Sequence, residues 1–272
     1  MDIIYKYPRT RHIEGSRLQQ GDEDLKSVKF DEIKDKYIVI EEKVDGANCG
    51  ISFDENGKLY LQSRGHYLNG GYGERHFELL KTWANCHKVK LHDLLGDRYI
   101  MYGEWLYAKH TVFYDELSHY FMEFDIFDRK TKRFLSTEKR REMLKEYRFI
   151  KSVLVLYEGR VKSLKELTAF LGKSNFKSAE NKDILKEKCD KLNLSFDVVK
   201  KQTDTTDLME GLYIKVESTD EVIDRLKYVR ASFINTILDS ETHWVNRPII
   251  PNKLKDDVDI FSLEEECYNE QA

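Results

Sequence analysis

Lys43-Val44-Asp45-Gly46 places a lysine at the mouth of an apolar run, Tyr37-Ile38-Val39-Ile40. Such a run reads as a buried strand, and Asp-Gly alone is enough to turn the chain after it. The lysine therefore needs either a solvent-exposed reading, as a plain turn residue, or a chemical one. At a pKa of about 10.4 a free lysine is protonated at neutral pH and is no nucleophile. Burial beside other cations, with Lys215 as the candidate neighbour, disfavours the ammonium and frees the amine. Four-residue patterns recur by chance, so the weight rests on the residues further along the chain.

Ser63-Arg64 closes a later strand, and Tyr102-Gly103-Glu104-Trp105 sets a glutamate at a strand end. Glu123-Phe124-Asp125-Ile126-Phe127-Asp128 mixes carboxylates with aromatics, and Glu210-Gly211-Leu212-Tyr213-Ile214-Lys215 precedes Lys227 and Arg230. Taken singly, each has an ordinary reading: solvated carboxylates, a phenylalanine-rich core strand, surface lysines. Taken in order, they offer carboxylates for a hard metal ion, an aromatic stacking surface, and cations that neutralise phosphate oxygens.

The elements that must position these groups follow from hydrophobic periodicity. Strands over 37–43, 47–53 and Leu59–Leu61, the last two joined through Asp54-Glu55-Asn56-Gly57, read as an antiparallel meander. The glycine-rich stretch 65–73 is a loop, and Phe77, Leu79, Leu80 and Trp83 give 74–86 an amphipathic helical spacing. Arg98–Leu106, Tyr120–Phe127, Val153–Tyr157 and Leu212–Val216 read as strands. Ser136-Thr137 opens a helix reaching about Tyr147, and 164–171, 184–192 and 231–238 are further helices. Residues 222–230 fit helix or strand equally. Residues 1–36 form a polar, irregular arm, either solvated or in contact with substrate. The pattern is α+β, a mostly antiparallel assembly with helices on the sheet faces.

The 272 residues suffice for a sizeable core, and 40% hydrophobic residues mark a globular chain rather than a disordered one. A net charge of −4 means that a nucleic-acid partner needs a local basic groove. Cys49, Cys86, Cys189 and Cys267 form no Cys-x-x-Cys pair, which argues against zinc and fits reduced thiols in a cytoplasm. No apolar run reaches membrane-spanning length, and the N-terminus lacks the apolar stretch of a signal peptide.

In this order the motifs resemble those of the covalent nucleotidyltransferases, and most nearly the ATP-dependent RNA ligase family, in the phage branch that seals nicks in duplex RNA. Asn48, after Gly46-Ala47, and the form of Phe124-Asp125-Ile126 point to that branch. The resemblance covers roughly 37–235 and implies an adenylyltransferase domain over 1–235, of antiparallel, ATP-grasp-like fold, with 236–272 as a short extension. Too few residues follow position 235 for an OB-fold; its absence argues against the two nearest alternatives, a DNA ligase and a GTP-using capping enzyme. An inactive nucleic-acid-binding relative is a third.

The resemblance also implies roles. Lys43 attacks the α-phosphorus of ATP and becomes lysyl-AMP; AMP passes to an RNA 5′-phosphate; a 3′-hydroxyl then displaces it. Glu210 holds Mg2+ or Mn2+, and Glu104 either joins it or touches the ribose. Phe124 stacks on adenine, and Glu42, Asn48 and Asp125 complete the nucleotide site. Arg64, Lys215, Lys227 and Arg230 neutralise phosphates, while Asp45, Asn48 and Arg64 support the later steps. The last motif usually carries Lys-x-Lys; Arg225-Leu226-Lys227-Tyr228-Val229-Arg230 departs from it and leaves its register open, Arg230 in place of a lysine being one reading. From charge alone, Arg9, Arg11, His12 and Arg17 are candidates to grip the 5′-phosphate. The implied partner is RNA bearing 5′-phosphate and 3′-hydroxyl ends, in a repair setting, with an end-processing kinase or phosphatase to prepare them. Thr242-His243-Trp244-Val245-Asn246-Arg247-Pro248 offers aromatics and a cation for stacking on nucleic acid or for packing on the core.

Overall fold

The computed structural model describes residues 4–18, 21–22, 24–240 and 244–262. Thr242, His243, Cys267 and the rest of the last ten residues of the acidic tail lie outside them. The strands are β1 (Arg11–His12), β2 (Ile38–Lys43), β3 (Ala47–Phe53), β4 (Leu59–Ser63), β5 (Tyr99–Trp105), β6 (Phe121–Asp128), β7 (Arg133–Phe134), β8 (Lys151–Ser152), β9 (Val155–Gly159), β10 (Gly211–Glu217) and β11 (Val222–Val229). They form two sheets. The first has the order β1-β11-β10-β2-β9 and the second β4-β3-β5-β6-β7, with β8 parallel beside β6. All other pairings except β1 with β11 are antiparallel.

Strand alternation sorts the first sheet into two faces. Ile38, Ile40, Leu212, Ile214 and Val216 pack with Ile13, Phe30, Ile33 and Leu167. The opposite face carries Glu41, Lys43, Tyr213 and Lys215 toward the second sheet, where Lys215 Nζ donates to the Phe124 carbonyl. The second sheet packs its outer face, Cys49, Ile51, Phe53 and Met101, against α1 (Glu78–Cys86) and α2 (Lys88–Leu95) through Leu80, Trp83 and Leu91. Helix α3 (Thr137–Leu144) sends Arg140 between the sheets. Helices α4 (Leu164–Thr168), α5 (Asn181–Lys191) and α6 (Phe196–Lys201) precede β10, and α7 (Ala231–Asp239) follows β11.

Two expectations need correction, and one left open is resolved. β2 and β3 are not a hairpin: they belong to different sheets, and only β3 and β4 pair. The Asp45 carboxylate accepts from the Thr111 and Val112 N–H groups at 2.7 and 2.8 Å, so the chain is pulled across the gap instead of turning back. The described residues among the first 36 are not a solvated arm. Tyr7, Ile13, Val28, Phe30 and Ile33 are buried, and β1 adds a strand to the first sheet. Residues 222–229 are strand and Arg230 caps α7, because β11 is held on both sides by β10 and β1, a tertiary preference that local pattern does not carry.

The described part of the extension packs on the core. Ile250 joins Phe113 and Leu185, Ile260 joins Leu91, and Asn252 bonds Tyr114 N and Leu106 O. No helix among the described residues is long and apolar enough to cross a membrane.

Candidate functional site

Between the sheets lies a cleft of about 270 Å³, walled by Lys43, Glu42, Tyr213 and Lys227 on one side and Asn48, Glu104, Phe124 and Arg64 on the other. Register brings these residues together. Gly211 pairs with Lys43, which sets the preceding Glu210 beside it, and Asn48 pairs with Glu104 across β3 and β5. Two glycines make this possible. A Cβ on Gly46 would sit 2.7 Å from the Trp105 carbonyl, and its N–H donates to Glu104 Oε1 at 3.1 Å. A Cβ on Gly211 would collide with the Tyr228 carbonyl and part β10 from β11.

Lys43 Nζ lies 2.7 Å from Glu210 Oε1, with about a fifth of the lysine side chain (22%) exposed to the cleft. Burial works to lower its pKa, but Glu210, Glu104 and Asp45 outweigh it and hold the ammonium above its ordinary value. Burial pushes Glu104 up to about 7 and Glu210 up to about 7, against the pull of Lys43 in each case. Glu210 Oε2 and Asn48 Oδ1 are buried without a hydrogen-bond partner. A cluster of carboxylates that resist ionisation, with a spare buried oxygen, is chemistry that a hard divalent cation satisfies. Among the described residues no three His, Cys, Asp or Glu side chains form an all-protein cage.

Glu42 is buried; its carboxylate accepts from Ser174 Oγ at 2.5 Å and from Asn175 N and Nδ2 at 3.0 and 2.9 Å. Phe124 lies edge-on to Tyr7, ring centroids 5.1 Å apart. Exposed Arg64 stands at the rim just beyond β4. Asp45 is near enough to act on Lys43, though its oxygens are spent on the 111–112 backbone.

Other expected site residues sit elsewhere. Lys215 is not the cation beside Lys43: it is fully buried, 2.9 Å from Glu41 and 3.3 Å from Asp125. Asp125 lies behind Phe124, held well below the usual carboxylate range; burial opposes this, but Arg225 and Lys215 prevail. Arg230 is off the cleft wall. It pairs with Asp204 and donates to Met209 O at 2.6 Å, clamping the segment before Glu210. Arg11 pairs with Asp224, and the Arg17 backbone joins Val229 while its side chain is exposed. Arg9 does line the cleft, and His12 lies buried behind Asp22.

Sequence reasoning missed Tyr7, Thr10, Asp22 and Tyr213, all on the cleft wall. Tyr114 was missed too; its hydroxyl accepts from Asp45 N at 2.8 Å. A signal for Tyr213 was present, since alternation along β10 puts residue 213 on the face of Lys215. The irregular N-terminal segment carried no comparable periodicity.

A model of the RNA ligase family matches residues 36–229. Among solved structures, a variant of the Naegleria gruberi RNA ligase with ATP and Mn is similar at 13% identity and a TM-score of 0.50, over 77% of this chain and 53% of that one. An apo variant of the same ligase is similar at 16% identity and a TM-score of 0.50, over 77% and 54%. The chain therefore spans about half the length of these ligases, and the likeness is one of fold. No curated protein sequence matches.

Proposed function

The chain belongs to the RNA ligase family, and from that premise we propose that it is an ATP-dependent RNA ligase that works through lysyl-AMP on Lys43. The observation that carries the proposal is Lys43 paired with Glu210 at 2.7 Å on the wall of a cleft shared with Glu104, Phe124 and Lys227.

In the first step the Lys43 amine gives its lone pair to the α-phosphorus of ATP, the bond to the β-phosphate oxygen breaks, and pyrophosphate leaves. The amine must first lose a proton, and the nearest acceptor is Glu210, 2.7 Å from Nζ, whose pKa burial raises to about 7. Burial of Lys43 favours the free amine once that proton has moved, while Asp45 still acts against it. A bound Mg2+ or Mn2+ supplies charge neutralisation for the phosphates. Glu210 Oε2 and Glu104 are the groups that would hold it, with Asn48 Oδ1 a further buried acceptor on the strand beside Glu104. Phe124 offers the adenine a ring face, Glu42 bounds the same end of the cleft, and Lys227 and Arg64 meet phosphate oxygens. In the later steps AMP passes to an RNA 5′-phosphate and a 3′-hydroxyl displaces it, with exposed Arg64 at the rim and Asn48 within the cleft. RNA repair after end processing by a kinase or phosphatase is the setting we infer, in the cytoplasm. Residues 1–235 are the catalytic domain in this reading.

Incubation with α-labelled ATP and magnesium tests the first step: the wild-type chain takes up label, and Lys43→Ala takes up none. A wild-type chain that stays unlabelled sinks the reading. Sealing of nicked RNA duplex, nicked DNA duplex and single strands side by side tests the substrate, with ribose at the 3′-end expected to be required.

A further inference from the structure

Three basic side chains converge on one carboxylate inside the cleft. Lys227 Nζ lies 2.5 Å from Asp22 Oδ2, His12 Nε2 lies 3.1 Å from the same oxygen, and Arg9 Nη2 lies 3.2 Å from Oδ1. Arg9 is held in addition by Asp24 at 2.8 Å and by the Gly21 carbonyl. Arg9, Gly21, Asp22 and Lys227 all line the cleft that holds Lys43. His12 is fully buried, and its Nδ1 lies 2.7 Å from Ser16 Oγ. Val229 N donates to that same Oγ at 2.9 Å, and the Nε2–H tautomer of His12 donates to Asp22.

We propose that Arg9, His12 and Lys227 form an anion site for phosphate groups of the substrate, and that the Asp22 carboxylate occupies it until phosphate displaces it. The proposal rests on the ligase reading for the identity of the anion. Its geometry is independent: a carboxylate and a phosphate present the same pair of acceptor oxygens to the same charge-assisted donors, and one cradle holds one of them. Asp22 is firmly seated: burial works to raise its pKa, but Lys227 and His12 draw it down to about 2. It therefore weakens entry of phosphate and speeds its release, without touching Lys43. Two sources fit the chemistry, the pyrophosphate portion of ATP and the 5′-phosphate of an RNA end.

Calorimetric titration separates these. The wild-type chain, the Asp22→Asn variant and the double variant Asp22→Asn with Arg9→Gln are titrated with inorganic pyrophosphate, with a 5′-phosphorylated oligoribonucleotide, and with its unphosphorylated twin. Asp22→Asn should bind the phosphate ligand about tenfold more tightly, and adding Arg9→Gln should remove the gain. A gain with pyrophosphate assigns the site to the nucleotide, a gain with the 5′-phosphorylated strand alone assigns it to the RNA end, and a gain with both means successive use. Equal or weaker binding of both ligands by a folded Asp22→Asn overturns the proposal. Should that variant not fold, Arg9→Gln in the wild-type chain takes its place: weaker pyrophosphate or 5′-phosphate binding supports the site, and unchanged binding overturns it. Label uptake from ATP by the wild-type chain is read separately, so failure of the ligase reading is not confused with failure of the anion site.

Discussion

Two clusters of buried charge lie between the same two sheets and are built in opposite ways. The inner one sets Glu41, Glu123 and Asp125 against Lys215, Arg140 and Arg225, three acids to three bases, with contacts from 2.7 to 3.3 Å. The outer one surrounds Lys43 with Glu210, Glu104 and Asp45, three acids to one base. Lys43 and Lys215 stand on neighbouring strands of one sheet, yet one belongs to each cluster. Balanced charge holds two sheets in register. Unbalanced charge holds a place for something that arrives.

The comparison is broken most directly by deleting one cation from each cluster. Arg140→Met leaves Glu41 and Glu123 buried without their shared base and should cost about 3–5 kcal/mol in a urea unfolding series. Lys43→Met should change stability by less than about 1 kcal/mol, since Glu104 and Glu210 already sit near neutrality and take up protons. Equal losses from both would show that the clusters do the same work.

Titration should then part them in opposite directions. Glu104 and Glu210 have folded pKa values of about 7, above the ordinary 4.5. Between those values the unfolded chain has released protons that the folded chain keeps, so stability falls as pH rises from about 4.5 to about 7 and is level above. The two carboxylates share Lys43, so the fall should be that of a single such group, about 3 kcal/mol in all, and Glu104→Gln should flatten it. Asp125 is shifted the other way, so its contribution is present above pH 3.8 and lost in acid below it, while burial raises its neighbour Glu41. Melting temperatures between pH 2 and pH 8 follow both limbs.

How much of the molecule was legible beforehand differs between the clusters for the same reason. Lys43, Asn48, Arg64, Glu104, Phe124 and Lys227 were all singled out in the sequence, and the strands that carry them bring them to one cleft. Charge type alone did not separate Lys215, Asp125 and Arg230 from that group, because their partners, Glu41, Arg225 and Asp204, come from distant segments. The α+β class and most strands followed from alternation. The hairpin expected at 43–47 failed because Asp-Gly specifies a turn but not its direction, which the 111–112 backbone decides. Asp22 was invisible: an aspartate in an irregular segment shows no partner until β11 is in place.

Magnesium sharpens the contrast by acting on one cluster alone. At pH 8, where Glu104 and Glu210 are ionised, saturating the protein at a hundred times the dissociation constant should add about 2.7 kcal/mol. Glu210→Gln should abolish most of that gain, and at pH 5 protons should compete the ion away. Arg140→Met should leave the increment intact if it still folds.

The smallest effect is a test of what supports the inner cluster from outside. Arg140 rides on α3, whose N-cap Ser136 accepts from Lys139 N at 3.4 Å and donates to Thr219 O at 2.8 Å. Ser136→Ala removes both bonds and should cost about 1 kcal/mol. Because the helix only aims Arg140, the loss should be much smaller in an Arg140→Met background, where nothing is left to aim. Additive losses would mean that the cap stabilises α3 for its own sake. Label uptake from ATP should be unchanged by Ser136→Ala in either background that folds, since the cap feeds the balanced cluster and not the one around Lys43.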